Sequence, residues 1–140
     1  MKETRMIRVM GIQKDKKGEE NKIELVTEGT FYDKKESLYI IYEESEISGM
    51  EGATTTLKIE GKNRVSMKRF GSSGLQLVFE KGKSFISQYS TQYGDFEMEI
   101  FTKELNVHLQ DGKKGAIEIH YDLWIEGLAD TTNQLKIQLM

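Results

Sequence analysis

The chain predicts an all-β domain: a single antiparallel up-and-down meander closed into a barrel of about eight to ten strands. Two observations carry that reading. Short runs alternate apolar and polar residues from Met6 to Leu139, and period-two alternation marks strands with one buried and one wet face. A glycine or a polar cluster separates nearly every neighbouring pair of runs.

Ten strands are expected, over residues 6–14, 22–32, 37–47, 53–60, 64–70, 75–80, 84–90, 95–109, 116–125 and 128–139. Their connections carry turn chemistry. Gly18 sits in the first, and Asp33-Lys34-Lys35-Glu36 forms the second. Gly49 and Gly52 flank Met50-Glu51; then come Gly61-Lys62-Asn63, Gly71-Ser72-Ser73-Gly74, Gly82, Gly94, Asp111-Gly112-Lys113-Lys114-Gly115 and Gly127. Short turns force each strand to run antiparallel to the last.

Three strands need comment. In 22–32, Gly29 interrupts the alternation, which predicts a bulge or a sharp bend. In 37–47 both faces are apolar, and the inward choice stays open. In 95–109 the phase changes: Phe96, Met98 and Ile100 share one face, then Leu105, Val107 and Leu109 take the other. A bulge near residues 102–104 is expected, bending the strand around a barrel wall. Residues 22–32 and 95–109 are long enough for helices, but Glu97 to Thr102 alternate and β-branched and aromatic residues dominate both.

A ten-strand meander has an edge problem that closure removes. Antiparallel barrels above about eight strands begin to leave interior room, so a cavity is expected on physical grounds. A barrel packed solid and a two-sheet sandwich are the rivals.

With 140 residues and no linker, the chain reads as one domain over residues 1–140. Proline and cysteine are both absent, and the second absence excludes disulfides, thiolate zinc sites and a cysteine nucleophile. The net charge of −3 and pI near 5.5 argue against nucleic-acid binding. Lysines gather at turns, as at Lys34-Lys35 and Lys113-Lys114, where they discourage edge-to-edge pairing. No apolar run reaches the ~18–20 residues of a membrane helix. The first residues lead into a strand with no apolar signal region. A cytoplasmic protein without membrane contact is expected.

Alternation places Tyr42, Glu44, Arg69, Tyr89 and Tyr121 on the faces of their strands' apolar residues. These five are the candidate ligand-binding residues of the barrel interior. Arg69 suits a carboxylate or phosphate; an Arg69–Glu44 pair capped by tyrosine hydroxyls is the structural alternative, since buried charge is seldom tolerated unpaired.

No catalytic set emerges. Symmetric pairing about the 111–115 turn sets His120 near Leu105, leaving His108 and His120 on opposite faces and unable to share a metal ion. The 71–74 loop lacks the strand-to-helix setting of a phosphate cradle. Glu19-Glu20 and Glu43-Glu44 are adjacent strand residues that face opposite ways. Neither an enzyme, a metal site nor a cofactor is expected. Trp124 lies opposite Tyr121, Leu123 and Ile125; it either plugs a barrel end or, with Phe101 and Tyr39, also out of phase with their apolar faces, marks a surface for self-association.

Tyr42-Glu43-Glu44, Thr55-Thr56-Leu57-Lys58-Ile59, Arg69-Phe70-Gly71, Phe79 with Gly82, and Tyr89-Ser90-Thr91-Gln92-Tyr93-Gly94, in that order, resemble the YwiB-like family of uncharacterised bacterial proteins. The resemblance spans most of the chain and implies a calycin-like barrel, the superfamily of lipocalins and fatty-acid-binding proteins; it implies no established activity. Gln92 stands where family members carry proline, which touches only the local turn. The lipocalin Gly-x-Trp motif and the helical lid of fatty-acid-binding proteins are both missing. The expected function is non-enzymatic binding of a small, partly apolar ligand in the barrel. The alternative is a filled-core interaction module acting as a homodimer.

Overall fold

A computed structural model describes residues 2–43, 54–70, 75–110 and 114–140, with the side chains of Lys2, Leu75 and Thr91 left aside. Ten strands account for nearly all of it: β1 (Lys2–Asp15), β2 (Glu20–Lys34), β3 (Ser37–Glu43), β4 (Thr54–Glu60), β5 (Arg64–Phe70), β6 (Leu75–Phe79), β7 (Ser84–Thr91), β8 (Gly94–Gln110), β9 (Lys114–Ile125) and β10 (Ala129–Leu139). They match the predicted strands in number and order. The continuation of the third strand to residue 47 and the 71–74 loop lie outside the described residues.

All ten strands form one antiparallel sheet in the order β6-β5-β4-β3-β2-β1-β10-β9-β8-β7. The first and last strands pair with each other, Ile7 opposite Leu139 through to Asp15 opposite Thr131. That pairing closes the meander into a nearly complete barrel. Among the described residues no ladder joins β6 to β7, so the seam falls in mid-sequence. The turn between them is bonded to β8 instead: the Gly82 N–H donates to the Thr102 carbonyl at 2.8 Å, and the Thr102 N–H to the Lys83 carbonyl at 3.1 Å. The chain thus leaves β6 and passes directly into partnership with β8.

The predicted bulge is present. Thr102 pairs with Tyr121, but the next pair is Glu104 with His120, leaving Lys103 as the extra residue. A one-residue slip moves side chains to the opposite face of a strand. Here it returns Leu105 and Val107 to the interior that Met98, Ile100 and Thr102 already occupy, and all five are buried. At Gly29 there is no bulge: the β1–β2 ladder runs through it unbroken, with Arg5 as its partner. Its reason is steric, since a Cβ there would stand 3.0 Å from Ile40 Cγ2 and 3.3 Å from Phe31.

Leu38, Ile40 and Tyr42 form the buried face of β3, which closes the question its sequence leaves open. The core is concentrated at one end of the barrel. Ile7, Phe31, Leu38, Ile59, Val65, Phe79, Ile117 and Leu139 are all buried there, at the starts of odd-numbered strands and the ends of even-numbered ones.

Candidate functional site

The other end of the barrel is hollow. A cavity of about 480 Å³ is walled by the late residues of β1, β3, β5 and β9 and the early ones of β2, β6, β8 and β10. Apolar side chains dominate: Val9, Leu25, Met67, Leu77, Met98, Leu123, Ile125 and Leu135. Gly11 belongs to the wall too, on the same face of β1 as Ile7 and Val9, and a Cβ placed there would meet nothing within 4 Å. Space is therefore present where an ordinary strand would put a side chain.

Sheet register sets the polar groups in two rows. Tyr42 pairs with Thr55, and Thr55 with Arg69, across β3, β4 and β5. Asn21 pairs with Gln13, Gln13 with Asn133, Asn133 with Tyr121 and Tyr121 with Thr102, across β2, β1, β10, β9 and β8. Strand residues directly opposite share a face, so both rows point inward.

Arg69 is held from two sides. Its Nε donates to Thr55 Oγ1 at 3.3 Å, and its Nη2 lies 3.9 Å from the Met67 sulfur. Thr55 is fully buried. Asn133 Nδ2 donates to Thr131 Oγ1 at 2.9 Å and to the Thr131 carbonyl at 3.3 Å. The Tyr121 ring lies 4.8 Å from the Phe79 ring, tilted by 57°. Desolvation pushes the Tyr121 phenol up to about 12, with the Arg69 guanidinium pulling more weakly the other way. At neutral pH Tyr121 is thus a hydrogen-bond donor beside a fixed cation.

This makes a testable pH dependence. The folded phenol holds its proton beyond the ordinary tyrosine value near 10. Its contribution to stability is complete below about pH 10 and is lost as pH rises from there to about 12, a change of roughly 3 kcal/mol. Absorbance at 295 nm should show a tyrosinate step near pH 12. The Tyr121→Phe variant should lack that step and lose less stability over the same interval.

Of the five residues marked by sequence, Tyr42, Arg69 and Tyr121 line the cavity together. Tyr89 does not. It is half-buried against the core, paired with Phe96, and no β7 residue is among the described residues of the wall. Glu44 lies outside the described residues. Thr55, Asn133 and Gly11 were not singled out by the sequence. Asn133 carried a signal, since it keeps phase with Leu135, Ile137 and Leu139 on β10.

The histidines are placed differently from the expectation. The β8–β9 ladder runs on through Lys114 and Gly115, which the sequence puts in the turn, and it pairs His120 with Glu104 and His108 with Ala116. Both imidazoles therefore face outward, four residues or about 14 Å apart along the ladder. Among the described residues no three His, Asp or Glu side chains are grouped to hold a metal ion.

On the outer surface, Trp124 and Phe101 are 38% and 40% exposed and sit diagonally across the β8–β9 ladder. Ile86, 63% exposed, flanks them on β7. Tyr39 is not part of this patch: its ring stacks on Tyr32 at 5.0 Å, with Lys58 over it at 5.7 Å.

The family model for the domain of unknown function DUF1934 matches residues 7–137. The uncharacterized β-barrel protein YwiB of Bacillus subtilis (strain 168) is 30% identical over 109 residues, covering 77% of this chain and 73% of that protein. The crystal structure of the Bacillus subtilis ywiB protein superposes with a TM-score of 0.81 at 24% identity, over 99% of this chain and 93% of the other. That likeness shows the same fold over nearly the whole chain. On the family match and the 30% identity, the chain belongs to the DUF1934 family of YwiB-like β-barrel proteins.

Proposed function

We propose that this protein binds a small, partly apolar ligand in the hollow end of its barrel and performs no chemistry on it. The observation that carries this reading is the cavity itself. Its size lies within the ~300–1,000 Å³ of small-molecule sites, and it has the same make-up, an apolar wall with a few convergent polar groups. An apolar cavity of about 150 Å³ already accepts a benzene ring, so a bicyclic aromatic body fits here with room for a head group. Arg69, Tyr42 and Tyr121 orient; among the described lining residues there is no carboxylate or imidazole to act as a base.

Gly11 supplies the test. Its Cβ direction is open, and glycine inside a strand costs roughly 0.5–1 kcal/mol against alanine. The Gly11→Leu variant should therefore fold with stability equal to or above that of the parent, while its side chain occupies the cavity. Calorimetry with naphthalene-2-carboxamide, a neutral probe, should show saturable binding to the parent and none to the filled variant. Equal binding by both would place the ligand elsewhere and end this reading.

A further inference from the structure

The outer face of β7, β8 and β9 carries the exposed apolar patch of Ile86, Phe101 and Trp124. Sheet register fixes its layout. Glu99 is the ladder partner of Ile86 on one side and of Trp124 on the other, so the three stand in one row across the strands. Phe101 follows Glu99 by two residues and shares its face of β8. Glu99 is thus a half-buried carboxylate set among exposed apolar side chains.

The charge around this patch has one sign. Residues 84–102 and 115–135 contain seven aspartates and glutamates and no lysine or arginine, in a chain that has 20 of the latter. Segments 44–53 and 71–74 hold no lysine or arginine either. Three bases reach in from neighbouring stretches. Lys103 lies 3.1 Å from Asp122, Lys16 2.7 Å from Asp130 and Lys136 3.9 Å from Glu118. Among the described residues none pairs with Glu97, Glu99 or Glu126.

We propose that this face docks a cationic segment of a partner protein, with an arginine or lysine side chain over Trp124 and its head group at Glu99. Exposed apolar side chains grouped inside a polar rim mark an interaction surface, and the sign of the rim selects the partner. Directly opposed strand residues have Cβ atoms about 4.5–5.5 Å apart, so one cation can meet the indole face and the carboxylate together. Tryptophan attracts a cation more strongly than the other rings do, and exclusion of water strengthens the attraction. A second copy presenting this same face is opposed by like charges.

Trp124 is the only tryptophan in the chain, so its emission reads this face alone. The probes are an alternating arginine–valine hexapeptide and its glutamine–valine and glutamate–valine counterparts, titrated into the unaltered protein at low salt. The arginine peptide should shift the emission saturably and bind about tenfold or more tighter than the glutamine peptide, a preference that shrinks as salt is raised. The glutamate peptide should not bind. Glu99→Gln should weaken the arginine peptide by about threefold or more, while Glu28→Gln, an exposed acid on β2, should leave it unchanged. An unmoved emission, or equal binding of the arginine and glutamine peptides, would overturn the proposal. Equal weakening by Glu99→Gln and Glu28→Gln would overturn it too, by tracing the attraction to net charge. So would an emission change that grows with protein concentration in the absence of peptide, since the occupant would then be a second copy.

Discussion

Alanine at Gly115 is expected to cost roughly 3 kcal/mol or more, a large share of the ~5–15 kcal/mol that stabilises a domain. Gly115 has φ +142°, a conformation side chains rarely adopt. A Cβ there would stand 1.8 Å from the His108 carbonyl oxygen and 2.9 Å from its carbon. Both atoms are backbone, so no rotamer change relieves the collision. Gly115 pairs with Leu109 on one side and Leu139 on the other, so the strain falls where three strands meet. Strained backbone alone is worth about 1–3 kcal/mol, and the overlap adds to it. Urea denaturation of Gly115→Ala against the parent measures the loss. Gly11→Ala is the matched control, a strand glycine with nothing within 4 Å of its added Cβ, and should leave the midpoint equal or higher. A Gly115→Ala midpoint equal to the parent's would mean that Gly115 does not hold this close approach to the His108 carbonyl.

Phe79→Ala is expected to cost about 3–5 kcal/mol, the range for emptying a fully buried aromatic site. Phe79 is 0% exposed and closes β6, the shortest strand, which pairs with β5 alone among the described strands. Its ring packs against the ring of Tyr121. Truncation should thus bring a second change: the Tyr121 phenol should ionise closer to pH 10, as desolvation is the first cause of its elevation. Denaturation and a 295 nm titration on the same variant read the two effects separately. A stability loss with an unmoved tyrosine titration would show that burial by Phe79 is not what holds the phenol neutral.

The sheet was legible in the sequence because each strand's alternation is local. The phase change between Ile100 and Leu105 could be read as a bulge because both halves are strongly apolar. What depends on which strands meet was hidden. Tyr89 has the same alternation as Tyr42 or Tyr121, yet it is not among the described residues of the cavity wall, a difference set by where β7 meets the rest of the sheet and not by its own alternation. Gly29 reads as a bulge signal, and only the position of Ile40 across the sheet gives it a steric role. Gly11 has no side chain to keep phase with, so the space it leaves could not be inferred. The histidines moved to one face because a single step in register exchanges faces, and turn length decides that step.

The cavity claim is tested most directly through its own methionines. Of seven methionines in the chain, Met67 and Met98 line the cavity, while Met6 and Met140 are exposed on the outside. Carbon-13 labelling of the methionine methyls and titration with naphthalene-2-carboxamide should shift the Met67 and Met98 signals saturably, leave Met6 and Met140 in place, and do nothing in Gly11→Leu. Shifts confined to Met6 or Met140, or undiminished in Gly11→Leu, would contradict a ligand-binding interior.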